Sequence, residues 1–553
     1  KHQTHKIITA RVVIMDDDED STLYQMRLRN VRVSTWKEPP VALPATTATA
    51  AAMPRRTRPQ RKKLECVIFL ISILALCLLS AVMNRRSQHN LSNLYHGGKA
   101  ETRCDLSTYP RWKLSELKEL DLSGCGNKLN LPDEPSLWAS FFSLKKLDLN
   151  NNQLNTLPQS IEHLPSLEIL FLSENEFGVI PKVIKQLKKL RVLSLRGNLI
   201  TNLSTLNLPT ATLEWLILTS NRIQSIDADI KDLKLLQKLM LSHNNISEIP
   251  AELPHNLELV RLADNNIRSV PTSVLTLSKL AWISLSGNPF SSLQSTSTQE
   301  AKVIPESELE IYESDVLGSG ASGKVYKGTY RGEDVAVKVF KAMSKGSDGN
   351  SEDEAYINSL IDTPFAISAL GAIPAAEGEG KYKGMVMKLL DGTNPMGKVP
   401  SFQTVTRDEG PAPHATNLST QQVIGAIWNI VNALEYTHTR GVCHGDIYLH
   451  NVLRDGKGVA RLSDWGASFV YDHTLVEVAS SIEKIEVLAF GRLVQDLFSW
   501  NLNVAVPDST ELGYYLNTKS GSKTMSLIAS ILQKDQSKRP TFREIKETLA
   551  TIP

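Results

Sequence analysis

The sequence predicts an α/β solenoid followed by a separate α+β domain, with one candidate transmembrane helix ahead of both. Three observations predict it. A leucine pattern recurs eight times between Leu117 and Phe290, residues 305–553 read first as strands and then as helices, and Val67–Met83 carries no charged residue. The 553 residues suffice for two or three domains. With 61 Lys and Arg interspersed among 59 Asp and Glu, net charge +2, the composition argues against a nucleic-acid partner held by bulk charge. Five scattered cysteines make neither a disulfide scaffold nor a zinc module.

Residues 1–63 are expected to be disordered. An acidic cluster, Asp16 to Asp20, precedes a Pro/Ala/Thr-rich stretch with little apolar material to build a core. A basic cluster follows: Arg55, Arg56, Arg58, Arg61, Lys62 and Lys63. Residues 64–84 then form the apolar run, closed by Arg85 and Arg86. As a helix its uncharged core is about 25 Å long, the low end of a bilayer span. All-round apolarity with charged flanks favours a single-pass signal anchor over a buried helix. The chain begins at Lys1, so it reads as a fragment or an uncertain start; initiation at Met53 would make the run resemble a signal peptide.

Residues 101–295 hold the repeats. The template Leu-x-x-Leu-x-Leu-x-x-Asn-x-Leu begins at Leu117, Leu144, Leu167, Leu190, Leu213, Leu236, Leu257 and Leu280, which is a leucine-rich-repeat signature. The turn residues Asn152, Asn175, Asn198, Asn221, Asn244, Asn265 and Asn288 are expected to bond neighbouring backbone as a ladder, with Cys125 in that place in the first copy. Cys104 and Cys125 could pair in a compartment that oxidises thiols, but spacing alone does not show it, and two free or buried thiols are expected. Concave-face positions hold Ile169, Phe171, Arg191, Val192, Trp215, Ile217, Met240, Arg261 and Trp282. An apolar stripe of Phe171, Trp215, Ile217, Met240 and Trp282 predicts a docking surface for a protein substrate or regulator. The competing occupant is the following domain of the same chain.

A Ser/Thr-rich linker, 296–304, leads into residues 305–553. The run Gly318-Ser319-Gly320-Ala321-Ser322-Gly323-Lys324-Val325 lets backbone amides approach phosphates, a weak signal by itself. Val335-Ala336-Val337-Lys338 follows as a strand whose lysine can grip the α and β phosphates. Glu354 opens a helical pattern and is the favoured partner of Lys338, with Glu352 the competitor. Met387 and Leu389 lie where a strand runs into a hinge against which adenine would stack. In His444-Gly445-Asp446-Ile447-Tyr448-Leu449-His450-Asn451, Asp446 can orient or deprotonate a hydroxyl, and Asn451 can hold magnesium. Asp464-Trp465-Gly466 supplies a second metal ligand in Asp464.

In order and spacing these motifs resemble the eukaryotic-like protein kinase superfamily across residues 305–553. The His-Gly-Asp-Ile-Tyr-x-His-Asn run behind repeats is similar to a group of leucine-rich-repeat protein kinases of bacteria and some algae. The resemblance implies a bilobal domain that uses ATP and Mg2+ to phosphorylate Ser/Thr hydroxyls of a protein. Lys338 and Glu354 would form an ion pair, Asp446 would be the catalytic base, and Asn451 and Asp464 would bind Mg2+. Gly318, Ser319, Gly320, Ala321, Gly323, Val325, Ala336, Lys338, Met387 and Leu389 would line the ATP site. The rival reading is a catalytically weak or inactive kinase-fold scaffold or adaptor that binds partners through the repeats.

The chain departs from the family at several points. Gly445 replaces the arginine that pairs with a phosphorylated activation segment, and that segment is short, with no Ala-Pro-Glu. Activity independent of its phosphorylation is expected. Arg539 lacks its usual glutamate unless Glu483 serves. Tyr448 stands where Ser/Thr kinases have lysine, leaving His450 as the basic substitute. No apolar run lies between residues 290 and 305, so repeats and kinase share one side of any membrane. ATP supply favours the cytosol, and the kinase side is expected there; the basic cluster favours the other side, with which the sequons at Asn90, Asn202, Asn245 and Asn417 are compatible.

Overall fold

The computed structural model describes residues 12–13, 28–29, 104–109, 111–291, 301–320, 322–341, 348–376, 381–502 and 519–551. The apolar run 64–84, nearly all of residues 1–63, most of the linker and Ala321 lie outside them. The chain divides into a unit of residues 1–88 and a unit of residues 89–553. In the first, Val12–Val13 (β1) pairs antiparallel with Leu28–Arg29 (β2), where the sequence leads one to expect no order. The second holds the repeats and the catalytic domain together.

Eight three-residue strands build one parallel sheet: β3 (Glu119–Asp121), β4 (Lys146–Asp148), β5 (Ile169–Phe171), β6 (Val192–Ser194), β7 (Trp215–Ile217), β8 (Lys238–Met240), β9 (Leu259–Arg261) and β10 (Trp282–Ser284). A strand this short can present only one side chain inward. Leu120, Leu147, Leu170, Leu193, Leu216, Leu239, Val260 and Ile283 take that place, aligned strand to strand and buried. The chain must then turn away without leaving buried backbone unpaired. Each turn does so with a left-handed residue just before the ladder asparagine: Asn151, Glu174, Gly197, Ser220, His243, Asp264 and Gly287. The asparagine amide then donates to carbonyls of its own and the preceding repeat, as Asn221 Nδ2 does to Leu218 (3.0 Å) and Leu195 (2.9 Å). Its oxygen accepts from the preceding turn, as from Ile200 N at 3.1 Å.

The first copy ends differently. Cys125 donates its N–H to Asn152 Oδ1 at 2.8 Å, and its sulfur is bonded to Cys104. The expectation of two free or buried thiols is therefore corrected. The first turn and the segment ahead of the array bring the two Cα atoms within 5.6 Å, within reach of a bridge.

The second domain opens with an antiparallel five-stranded sheet. Its strands are β11 (Leu309–Ser319), β12 (Gly323–Tyr330), β13 (Glu333–Phe340), β14 (Ala369–Pro374) and β15 (Tyr382–Lys388), in the order β11-β12-β13-β15-β14. Helix α1 (Ser351–Leu360) connects β13 to β14. Asn350 caps it by accepting from Glu352 N at 2.8 Å, and three acids in its first turn complement its dipole. Beyond the hinge the domain is helical. Helix α2 (Thr420–His438) starts in a capping box made by Ser419 and Gln422. A small sheet contains β16 (Val452–Arg454) and β17 (Ala460–Leu462), and helices α3 (Val476–Leu502), α4 (Lys519–Ile531) and α5 (Phe542–Ala550) complete the lobe. Among the described residues, no helix is long and apolar enough to cross a membrane.

Two apolar cores run across the boundary between repeats and catalytic domain. The repeat core continues into Cys443, Phe469, Tyr471, Ile482 and Ile485. The core of the helical lobe takes in Met240, Leu259, Ala281 and Trp282. The concave face therefore sits on the catalytic domain.

Candidate active site

Lys338 lies on β13 opposite Val325 of β12 and Met385 of β15, so the sheet fixes its height above the cleft. Helix α1 brings Glu354 onto Lys338 in a buried ion pair, and Asp464 Oδ1 lies 3.9 Å from the same ammonium. Burial alone would push the Lys338 pKa down. The Glu354 and Asp464 carboxylates outweigh it, so the ammonium is held above its ordinary value. Glu352, the competitor, faces elsewhere and accepts from Lys381 N at 2.8 Å. Ala336, Met385 and Met387 form a small buried cluster with Val325 and Leu389 packed against it, an apolar platform of the kind adenine requires.

In the glycine loop, Gly318 and Ser319 pair with Val325 and Lys324, and Gly320 N donates to Gly323 O at 2.9 Å. The glycines differ in what they do. A Cβ on Gly318 or Gly320 would meet nothing, leaving their backbone open to a ligand; one on Gly323 would lie 2.4 Å from Val339 O. Gly323 is there because strand β13 passes too close for a side chain.

The catalytic loop is tied down from beneath. Glu486 on α3 accepts from His444 N (3.0 Å) and Gly445 N (2.6 Å), and pairs with His438 Nε2 at 2.8 Å. Burial raises its pKa, yet His438 and these donors hold it below the usual carboxylate range. His444 Nδ1 accepts the Asp446 N–H (3.2 Å), so its Nε2–H is the group facing Ser463 O (3.1 Å). That neutral tautomer agrees with a pKa lowered by burial, and it links the loop to the residue before Asp464. Asp464 is itself left-handed at φ 60°, and Trp465 behind it is buried, its indole bonded to Ile367 O at 2.9 Å. Asn451 Nδ2 donates to Asp446 O (2.9 Å) and Oδ2 (2.7 Å).

These donors suit a small hard cation. With its nitrogen spent on Asp446, Asn451 has its amide oxygen left to ligate, and the Asp464 side chain is half exposed at the cleft. Amide and carboxylate oxygens are the ligand types Mg2+ prefers.

The surroundings of the loop differ from expectation. The docking stripe is not a free surface. Trp282 stacks on Tyr448 with centroids 4.4 Å apart and planes at 5°, and its indole donates to Ile447 O at 2.9 Å. Phe171 and Trp215 pack on Phe402 at 5.4 and 5.5 Å, while Met240 and Ile217 join the core of the helical lobe. Of the two occupants considered, the chain's own catalytic domain covers the stripe, because Phe402 and Tyr448 supply the aromatic surface it needs. The Tyr448 hydroxyl is buried without a hydrogen-bond partner among the described residues.

His450 is held by an acid from the preceding segment. Its Nδ1 is 2.5 Å from Asp408 Oδ1, and Asp408 Oδ2 also accepts from Leu449 N (2.8 Å) and His450 N (3.2 Å). Glu483 does not pair with Arg539; it accepts from Phe542 N at 2.8 Å. Arg539 instead donates to the carbonyls of Gln533 (2.8 Å), Lys484 (3.0 Å) and Ser278 of the repeats (2.6 Å), and burial pushes its pKa down to about 10.

Arg261 and Asp408 are the site residues that sequence reasoning missed. Arg261 is all but inaccessible and reaches Asp446 from 185 positions away, so no local pattern could have signalled it. For His450, burial opposes the charged ring, but the Asp408 hydrogen bond and charge raise its pKa above the ordinary 6.5. A raised histidine contributes stability fully below its unfolded value and loses it as pH climbs through the folded value. The stability difference between the native chain and His450→Gln should thus be widest below pH 6.5 and shrink above it. Denaturant melts at several pH values would show this, and a gap that widens with pH would refute it.

Comparison with known proteins agrees with this geometry. Residues 312–483 match the family model for the protein kinase domain, and residues 142–200 and 235–257 match leucine-rich-repeat models. Two proteins of Dictyostelium discoideum, each named "Probable LIM domain-containing serine/threonine-protein kinase", are 30% identical over 276 and 268 residues, 44% and 43% of this chain. The chain spans 40% and 26% of their lengths. "Serine/threonine-protein kinase mos" of Patiria pectinifera is 30% identical over 155 residues, 28% of this chain and 40% of that protein. The chain carries leucine-rich repeats followed by a protein kinase domain.

Proposed function

We propose that the chain is an active protein serine/threonine kinase that uses ATP and Mg2+. The observation that carries this reading is the convergence of Lys338, Glu354 and Asp464 on one cleft, with Asp446 and Asn451 joined to each other in the catalytic loop. Lys338 would hold ATP phosphates, Asn451 and Asp464 would hold Mg2+, and Mg2+ supplies charge neutralisation at the phosphates. Asp446 would accept the proton of a protein hydroxyl. An adaptor that only binds nucleotide would use Lys338 and Asp464 but has no use for an oriented Asp446. The test is autophosphorylation with radiolabelled ATP, comparing the native chain with Lys338→Met and Asp464→Asn. Incorporation confined to the native chain is expected; equal incorporation in all three overturns the assignment.

We also propose membrane attachment through residues 64–84. For orientation, the Cys104–Cys125 bond supports an oxidising compartment over the cytosol, and Asn202, Asn245 and Asn417 are all exposed. On that face glycosidase digestion shifts the full-length band on a gel. An unshifted band from the native host returns the kinase to the cytosolic side.

A further inference from the structure

The departures of the catalytic loop from the kinase pattern coincide with contacts made by the last repeats. At Gly445, φ is +78°, and a Cβ would lie 2.7 Å from Ile283 O of β10 and 2.6 Å from Ala467 O. An arginine cannot stand there, because the backbone of a repeat strand fills the space. The guanidinium arrives from β9 instead. Arg261 Nη1 donates to Gly445 O at 2.8 Å, Nη2 to Asp446 Oδ1, and Nε to Asp348 Oδ1 at 2.9 Å. Asp348 lies just ahead of α1, the helix that carries Glu354. The same edge of the array holds that helix twice more: Gly287 N donates to Asp353 at 2.6 Å, and Asn350 N to Ser286 Oγ at 3.1 Å.

One side chain thus spans the two parts that must meet for phosphoryl transfer. A planar, fixed fork on a carboxylate sets that carboxylate's orientation as well as its charge. Arg261 and Asn451 take one carboxylate oxygen each, Oδ1 and Oδ2, and each oxygen has two lone pairs, so acceptor capacity remains for a hydroxyl. The Asp446 side chain keeps 17% exposure, whereas Arg261 keeps 1%, so Arg261 acts through Asp446 and not on substrate.

We propose that Arg261 is a positioning residue for the kinase reaction: from the repeats it locks Asp446 and helix α1 in register, the task that activation-segment phosphorylation and a loop arginine perform together elsewhere. This role rests on the kinase reading and deepens it. A short activation segment then suffices, and a separate contact from the repeats, Ser278 O on Arg539, stands where a glutamate is usual.

The test uses the full chain with a peptide or autophosphorylation substrate, and first requires that the native chain be active and Lys338→Met inactive. Failure there sinks the kinase reading; the Arg261 variants bear on the positioning role alone. Arg261→Gln should lower kcat about ten- to a hundredfold through misplaced reacting groups, while KM for ATP and ATP affinity measured by titration stay within about twofold. Arg261→Lys should recover part of the loss, since it keeps the charge without the fork. Unchanged or raised kcat in Arg261→Gln would overturn the proposal, a rise meaning that the repeats restrain the enzyme. Should Arg261→Gln not fold, Asp348→Ala serves, since it removes the α1 side of the bridge and leaves Arg261 on Asp446. It should lower kcat at least about threefold at constant KM for ATP, and an unaltered kcat overturns the proposal.

Discussion

Lys338→Met should reduce phosphate incorporation by about 10²–10³-fold, the usual cost of removing one preorganised charged donor from a transferring phosphoryl group. Two effects must be kept apart. The substitution removes the phosphate clamp, and it strands Glu354 in a buried position. Breaking one side of a buried pair costs about 3–5 kcal/mol when the remaining charge has no escape. Glu354 has one: burial already raises its pKa, so without the ammonium it takes up a proton. The single variant should therefore lose more activity than stability. Adding Glu354→Gln should restore the stability without restoring turnover. A double variant that regained activity would mean that Lys338 serves the fold and not the phosphates.

Trp282→Ala should destabilise the chain by about 3–5 kcal/mol, typical for emptying a fully buried tryptophan site. The side chain fills the seam between β10 and the catalytic loop, stacked on Tyr448. Its indole also satisfies the Ile447 carbonyl, and leaving a buried acceptor unpaired costs about 1–3 kcal/mol of its own. Trp282→Phe separates the contributions, since it keeps most of the stack and loses the bond. Thermal melts followed by calorimetry should show the alanine variant unfolding in two steps, repeats and kinase parting company, where the native chain unfolds in one. Equal melting temperatures for native and Trp282→Ala would mean that the concave face is not docked in solution.

Much of the catalytic cleft was legible because its residues sit at fixed spacings in short motifs. Lys338, Glu354, Asp446, Asn451 and Asp464 all stand in such runs, and the structure brings the first, second and fifth together around one ammonium. The repeats were legible through their period, including the asparagine ladder. What stayed hidden has one physical cause: a contact between positions far apart in sequence leaves no local pattern. An apolar stripe needs the same side chains whether a partner or the chain's own domain covers it, so Trp215 and Met240 could not reveal the occupant. Arg261 is an ordinary strand residue until Asp446 stands opposite it. At Cys104 and Cys125, spacing alone could not decide between a pair and two thiols; the first turn brings them together. Gly445 and Tyr448 are departures from the family pattern in the loop alone, and become fits to Ile283 and Trp282 once the array is in place.

Shared cores also limit how this protein can change over generations. Phe469, Tyr471 and Ile485 are finished by leucines of the array, and Met240 and Trp282 by the helical lobe. A recombination event that grafted another recognition module ahead of Pro305 would leave Gly445 beside an empty notch and Tyr448 bare to water. Where a loose tether joins an enzyme to its reader, either can be exchanged freely; here an exchange takes away part of the catalytic domain's own interior.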